Sequence, residues 1–308
     1  MTAREPHQAP GRYAVHGVFW RECLDFALLN IPFFIQPGLL VVMTVFFFFF
    51  AAPARRAIVR NLAIVLPGSS SIANHFRAFR TLLNFAWTIT DATNFKLTGA
   101  EFRYQIIGNE YLDQLAAAQG AIVLTAHMGS SDLGAALFAR KCGREIQMVR
   151  APEPDQLSGR HLDQSVQQSG AGAVKVAYNT PGALLSFDLL SSLRRGEIVS
   201  IQGDRAIPGV AEAEGEMFGH RVVVPAGPFT LALVAQVPIY PLFIARLGHR
   251  HYAVIVSEPI FVTRTGASRD ADVATAVAQW CRVLEQLVAQ HWDQWFAFAP
   301  IFASHARK

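Results

Sequence analysis

Residues 32–52 carry only Gln36 and Thr44 as polar side chains and include five consecutive phenylalanines, Phe46 to Phe50. A run of about 20 apolar residues is the length a helix needs to cross the hydrocarbon layer of a bilayer. Pro32 is placed to open that helix, and Pro37-Gly38 predicts a kink in it. Past the kink only residues 39–52 are unbroken, a length at which a re-entrant or interfacial segment competes with a full crossing. The run therefore predicts a membrane anchor, spanning or lying in one leaflet, with a buried core helix as the plain alternative. A cleaved signal peptide fits poorly, because the polar start is long and Ala51-Ala52-Pro53 leads straight into Arg55 and Arg56. Arg55, Arg56 and Arg60, with Arg77 and Arg80 beyond, place the bulk of the chain on the cytoplasmic side. Arg12 and Arg21 on the other flank leave room for a helix lying in the inner leaflet.

The division expected from this pattern is a polar segment with the hydrophobic anchor over residues 1–53 and one main domain over 54–308. Of the 308 residues 52% are hydrophobic and only 16% charged, and the mean hydropathy is +0.26, which excludes a disordered chain. Cys23, Cys142 and Cys281 are odd in number and contain no CxxC pair, so neither a disulfide framework nor a cysteine zinc site is expected. Free thiols suit a reducing compartment. The net charge of +4 and pI near 9.1 suit anionic headgroups or an acidic partner, and no basic cluster is dense enough for nucleic acid.

Residues 54–96 read as two amphipathic helices broken at Pro67-Gly68-Ser69-Ser70-Ser71. After Gly120 the pattern alternates: strand 121–126, helix 133–141, strand 146–149, helix 183–193, strand 198–201, helix 230–235, then strands 239–245 and 251–256. A closing helix over 270–290 and an aromatic tail with Trp292, Trp295, Phe296 and Phe298 complete the chain. Such alternation predicts an α/β fold, a mixed and largely parallel central sheet flanked by helices. In such folds ligands gather at the loops beyond the carboxyl ends of the strands.

The loop after strand 121–126 reads His127-Met128-Gly129-Ser130-Ser131-Asp132. A histidine oriented by a carboxylate is a general base, and Asp132 reaches His127 only if His127 lies in the loop and Asp132 in the first helical turn. Taken singly, His127 reads as a surface or structural residue and Asp132 as a helix cap. Three later segments fall at strand ends in the same order: Arg150, then Gly203-Asp204-Arg205, then Phe218-Gly219 with Pro225-Ala226-Gly227-Pro228. An oxyanion would be met by Arg150 or by backbone N–H groups of the Gly129 turn, while Asp204 and Arg205 would shape the site or hold polar parts of a substrate.

With these segments in place the sequence resembles the bacterial lipid A biosynthesis acyltransferases of the lauroyl and myristoyl type, within the wider HX4D/E lysophospholipid acyltransferase superfamily. The resemblance covers most of the chain. It rests on the hydrophobic N-terminus, Arg56-Ala57-Ile58-Val59-Arg60-Asn61-Leu62 before a proline, the segment from Leu124 through His127 to Asp132, Arg150, Gly203-Asp204-Arg205, Phe218-Gly219, the Pro225–Pro228 loop and Gln294-Trp295. It implies a glycerolipid acyltransferase-like fold and transfer of a fatty acyl group from acyl carrier protein or acyl-CoA to a hydroxyl of a membrane lipid. His127 would be the base, and the bacterial inner membrane, with catalysis on its cytoplasmic face, the location. Ser130-Ser131-Asp132 stands where lipid A enzymes usually carry Asn-Trp-Glu, and Gly203-Asp204-Arg205 replaces a different acidic motif. Those departures bear on the acceptor lipid rather than on the reaction type.

Two other readings compete. Asp270-Ala271-Asp272 is a DxD sequence of the kind that holds a metal and a nucleotide sugar in glycosyltransferases, although acidic residues opening a helix also cap its N–H groups. A non-catalytic membrane protein would use the His-Asp pair structurally. No GxSxG elbow, phosphate loop or HExxH is found, and His249-Arg250-His251 has no further ligand in sight, so no cofactor is indicated.

Overall fold

The computed structural model describes residues 18–130, 134, 138, 143–151, 174–179, 184–207, 209–266 and 268–302. The expected helix 133–141, Ser131, Asp132 and Cys142 therefore lie outside the described residues, apart from Gly134 and Phe138.

Four helices come first: α1 (Val18–Asn30), α2 (Gln36–Phe50), α3 (Ala52–Val65) and α4 (Ser71–Thr98). The apolar run does not form the helix that its composition predicts. Pro37 sits in the first turn of α2, where a proline has no intrahelical N–H to lose, so Pro37-Gly38 starts a helix and does not kink one. The bend falls instead at Ala51, where Pro53 opens α3 and the two helix axes turn by 90°. No single described helix is long and apolar enough to cross a membrane. α3 and α4 are the two amphipathic helices expected, separated by the Pro-Gly-Ser segment, with Ser70 accepting from Ala73 N–H as the N-cap of α4.

The body follows as β1 (Arg103–Ile107), α5 (Asn109–Ala117), β2 (Ala121–Thr125), β3 (Ile146–Arg150), β4 (Val174–Tyr178), α6 (Leu185–Arg194), β5 (Ile198–Gln202), β6 (Glu212–Met217), β7 (His220–Pro225), α7 (Gly227–Ala235), β8 (Ile239–Gly248), β9 (His251–Val256), α8 (Arg269–Gln290) and the 3-10 turn Trp292–Gln294. Seven strands form one sheet in the order β1-β9-β8-β2-β5-β3-β4. Every neighbouring pair is parallel except β8 with β9. This is the mixed, mostly parallel sheet flanked by helices that the alternating pattern requires. β6 and β7 form a separate antiparallel hairpin that the turn chemistry of Phe218-Gly219 alone does not announce.

β2 is buried over its whole length because both faces of the sheet are covered. Ile122 and Leu124 point to a core shared with Phe229 and Leu233 of α7 and Val277, Trp280 and Leu284 of α8. Ala121 and Val123 point to the opposite core, with Leu112 and Leu115 of α5. A third cluster, Ile58, Leu62, Ala78 and Leu82, joins α3 to α4. These two helices are fastened to the end of the chain: Asn61 Nδ2 donates to Ala297 O and Ala299 O, its Oδ1 accepts from Ile301 N–H, and Arg80 pairs with Asp293 at 2.7 Å. Asp91 of α4 is buried against the sheet, accepting from Arg246 Nε at 2.9 Å and Tyr252 OH at 2.7 Å.

Candidate active site

The parallel pairing of β2 with β5 puts Thr125 opposite Gln202. Each chain then runs two residues further along the same edge, and those residues are His127 and Asp204. Gly203 N–H donates to Thr125 O at 2.8 Å, which continues the ladder into the loop and keeps the two chains in step. His127 Nδ1 and Asp204 Oδ1 stand 2.7 Å apart. The sheet register thus makes a His–Asp pair from residues 77 positions apart in sequence.

The Asp204 loop is held from three sides. A Cβ on Gly203 would fall 2.6 Å from Leu124 Cδ1, so only glycine brings the loop this close to β2. Trp280 of α8 donates its indole N–H to Gly203 O at 2.9 Å, and Trp295 donates its own to Asp204 Oδ2 at 3.1 Å. Each carboxylate oxygen therefore has a fixed donor, which an aspartate with a fully buried side chain requires. Burial alone would raise the Asp204 carboxyl; the neighbouring His127, by charge and hydrogen bond, with Arg205 and Trp295 behind it, holds it down at about 2. It is a carboxylate throughout the neutral range.

His127 is fixed through its backbone as well. Phe296 N–H donates to His127 O at 2.7 Å, and Met128 bridges to Trp295. Gly129 takes φ +52°, and a Cβ there would lie 1.7 Å from Ile244 O of β8, so glycine is what lets the loop pass under β8. The side chain of His127 is 26% exposed, and with Nδ1 committed to Asp204, Nε2 is the nitrogen left for a substrate.

The other residues singled out from sequence separate into groups. Asp204 does meet His127, as its direct partner and not only as a wall of the site, and Arg205 acts on the Asp204 carboxylate by its charge. The expected oxyanion donors of the Gly129 turn are already engaged: Met128 N–H donates to Ala126 O at 2.7 Å and Gly129 N–H to Gln294 O at 3.4 Å. Arg150 ends β3 on the same sheet edge, level with Gln202 through the β3–β5 register, and its Nε approaches Met148 Sδ at 3.2 Å. The DxD reading is overturned by geometry. Asp272 is 7% exposed and accepts from Thr265 N–H and Oγ1 at 3.1 and 2.6 Å, while Asp270 is exposed beside Arg269 and Ser268 caps the helix. Those aspartates order the start of α8.

Sequence reasoning underrated the tail. Gln294 clamps both backbone groups of Arg246 (Arg246 N–H to Oε1 at 2.6 Å, Nε2 to Arg246 O at 2.8 Å), and Trp295 reaches Asp204. The available signal was Gln294-Trp295 itself, a pair already among the segments that carry the resemblance.

A histidine hydrogen-bonded to a buried carboxylate, at the C-terminal edge of a mostly parallel sheet, is an arrangement that can take a proton from a hydroxyl. Residues 17–304 match the family described as bacterial lipid A biosynthesis acyltransferase, nearly the whole chain. The chain belongs to that family and is an acyltransferase. No curated protein matches it.

Proposed function

We propose that this acyltransferase moves a fatty acyl group from the thioester of acyl carrier protein or acyl-CoA to a hydroxyl of a lipid acceptor. The acceptor is a lipid A precursor or another glycolipid or lysolipid, met at the cytoplasmic face of the bacterial inner membrane. The observation that carries this reading is the 2.7 Å contact between His127 Nδ1 and Asp204, which leaves Nε2 for the acceptor. As the acceptor oxygen attacks the thioester carbonyl, Nε2 takes its proton, and Asp204 holds the ring and stabilises the imidazolium. The tetrahedral intermediate collapses with loss of the C–S bond, and the proton passes from Nε2 to the leaving thiolate. No cofactor and no acyl-enzyme enters these steps.

With the Met128 and Gly129 amides engaged, Arg150 is the donor we assign to the oxyanion. Gly129 is kept in the site as the residue that lets the His127 loop pass β8, and Arg205 as the cation behind Asp204. Asp132 remains in the proposal as a second carboxylate following His127. The test is comparative lipid mass spectrometry of cells lacking the gene, complemented with wild type, His127→Ala or Asp204→Asn. A lipid one acyl chain lighter that only wild type restores establishes the reaction and identifies the acceptor. Restoration by His127→Ala rejects the base.

A further inference from the structure

α2 is apolar on the outside. Its exposed positions are Pro37, Gly38, Val41, Val42, Val45, Phe46, Phe49 and Phe50, a helical stripe without one polar side chain. The turn before it, Phe33 (80% exposed), Phe34 and Ile35, and the neighbouring Phe26 and Leu29 of α1, continue the same surface. The inward positions hold Thr44, and its hydroxyl donates to Leu40 O at 2.7 Å. Three more polar side chains of the region are spent in the same way, Asn30 on Phe26 O, Gln36 on Ile31 O and Arg55 on Phe48 O at the bend, while the charged Glu22 is exposed near the start of α1. Satisfying backbone carbonyls internally while presenting hydrocarbon outward is what a lipid solvent demands and water does not.

The path of the chain decides how this surface meets lipid. Trp20, near the start of α1, touches Phe46 and Phe47, near the end of α2, at ring distances of 6.0 and 5.2 Å. On one continuous helix Trp20 and Phe46 would stand about 39 Å apart. α1 and α2 are therefore an antiparallel hairpin whose two ends lie together. Both helices pack on α4, which the Asp91–Arg246 pair bolts to the sheet. α2, at 15 residues, spans only about 22 Å against a hydrocarbon layer of about 30 Å. α3 cannot lengthen it, because α3 turns by 90° and its Asn61 is buried against the C-terminal tail. Arg56 and Arg60 are exposed on α3, as cations for anionic headgroups.

We infer that the hairpin α1–α2 enters and leaves the same leaflet of a phospholipid bilayer, so that the start of α1, with Glu22, and the catalytic sheet lie on one side and no described helix crosses. This rests on the membrane location in the proposed function and adds its topology. The experiment labels Glu22→Cys, an exposed charged position of α1, with a membrane-impermeant maleimide in a full chain whose native cysteines are replaced by Ala. Glu258→Cys, exposed beyond β9, is the reference for the catalytic body. We expect both to react in inverted inner-membrane vesicles and neither in intact spheroplasts. Reaction of Glu22→Cys only from the spheroplast side shows a crossing and overturns the inference while membrane attachment stands. No reaction of Glu22→Cys from either side also overturns it, since Glu22 would then lie in hydrocarbon.

A second measurement tests the surface itself. The full chain is floated with vesicles of phosphatidylethanolamine and phosphatidylglycerol, and Phe33→Asp/Phe34→Asp and Val42→Asp/Phe49→Asp should each weaken binding more than tenfold. Loss for neither variant overturns the hairpin as the inserted element. Failure of wild type to float at all defeats the membrane reading as well.

Discussion

The edge of the sheet at β2 and β5 and the N-terminal hairpin obey opposite rules of burial. At the sheet edge a charged group, Asp204, is buried and tolerated because each oxygen has a fixed donor. Along α2 and the turn before it large apolar groups are exposed, and Gln36 and Thr44 turn to backbone carbonyls. Both regions satisfy every polar group they remove from water; they differ in what they expect as solvent. The sheet edge fixes charged groups in a protein interior, and the hairpin presents hydrocarbon outward, which is the surface the leaflet proposal rests on.

The largest effects should come from the edge. His127→Ala should lower kcat by roughly 10²–10⁴-fold with an unchanged circular dichroism spectrum, the range for losing a general base. Gly129→Ala forces a Cβ into Ile244 O at a positive φ and should cost on the order of 3 kcal/mol, read as a fall in melting temperature. Trp295→Phe keeps the ring but removes the donor to Asp204 Oδ2. A drop in kcat of about tenfold is expected, with KM little changed, since one hydrogen bond to a charged group is worth about 1.5–3 kcal/mol. Equal losses in kcat and in folded protein would show instead that Trp295 serves packing alone.

Acid titration sharpens the contrast further. The folded-state pKa of Asp204 lies near 2, below its ordinary 3.8, so its ionised pairing adds stability that is fully present above about pH 3.8 and is lost as pH falls toward 2. The stability gap between wild type and Asp204→Asn should therefore narrow as pH falls from about 3.8 toward 2, measured by denaturant unfolding at a series of pH values. The smallest effect belongs to the hairpin. Val42→Asp should change thermal stability in water by no more than about 0.5 kcal/mol, because the residue is already solvent-facing, whereas an aspartate at Ile122 should abolish folding. A large loss for Val42→Asp would mean that the exposed stripe has a protein partner in the folded chain.

Much of the body was legible because periodicity is local. β9 occupies the expected residues, and β3, β5 and α8 lie within a residue or two of their expected limits. β1, α5, β4 and the β6–β7 hairpin carry weaker patterns. β6 alternates Glu212, Glu214 and Glu216 with Ala213, Gly215 and Met217, so its apolar face is short; Met217 is buried in the core and Gly215 packs against Cys281 and Val277 of α8. The kink expected at Pro37-Gly38 and found at Ala51 shows the same limit. A proline marks a discontinuity, but whether it opens a helix or breaks one depends on where the preceding turn ends.

For the site, His127 and the strand-end loops could be read from the chain, as could the family and hence the reaction class. The contact between His127 and Asp204 could not. A carboxylate five positions away is visible in a linear string, whereas Asp204 becomes a neighbour only when β2 and β5 pair in parallel with Thr125 opposite Gln202. The sequence by itself determined the elements, the apolar run and the residue types that abstract a proton, because these follow from local spacing and side-chain chemistry. Only the tertiary structure brought Asp204 to His127 and laid the apolar α2 antiparallel to α1. Register and packing are long-range, and no spacing along the chain encodes them.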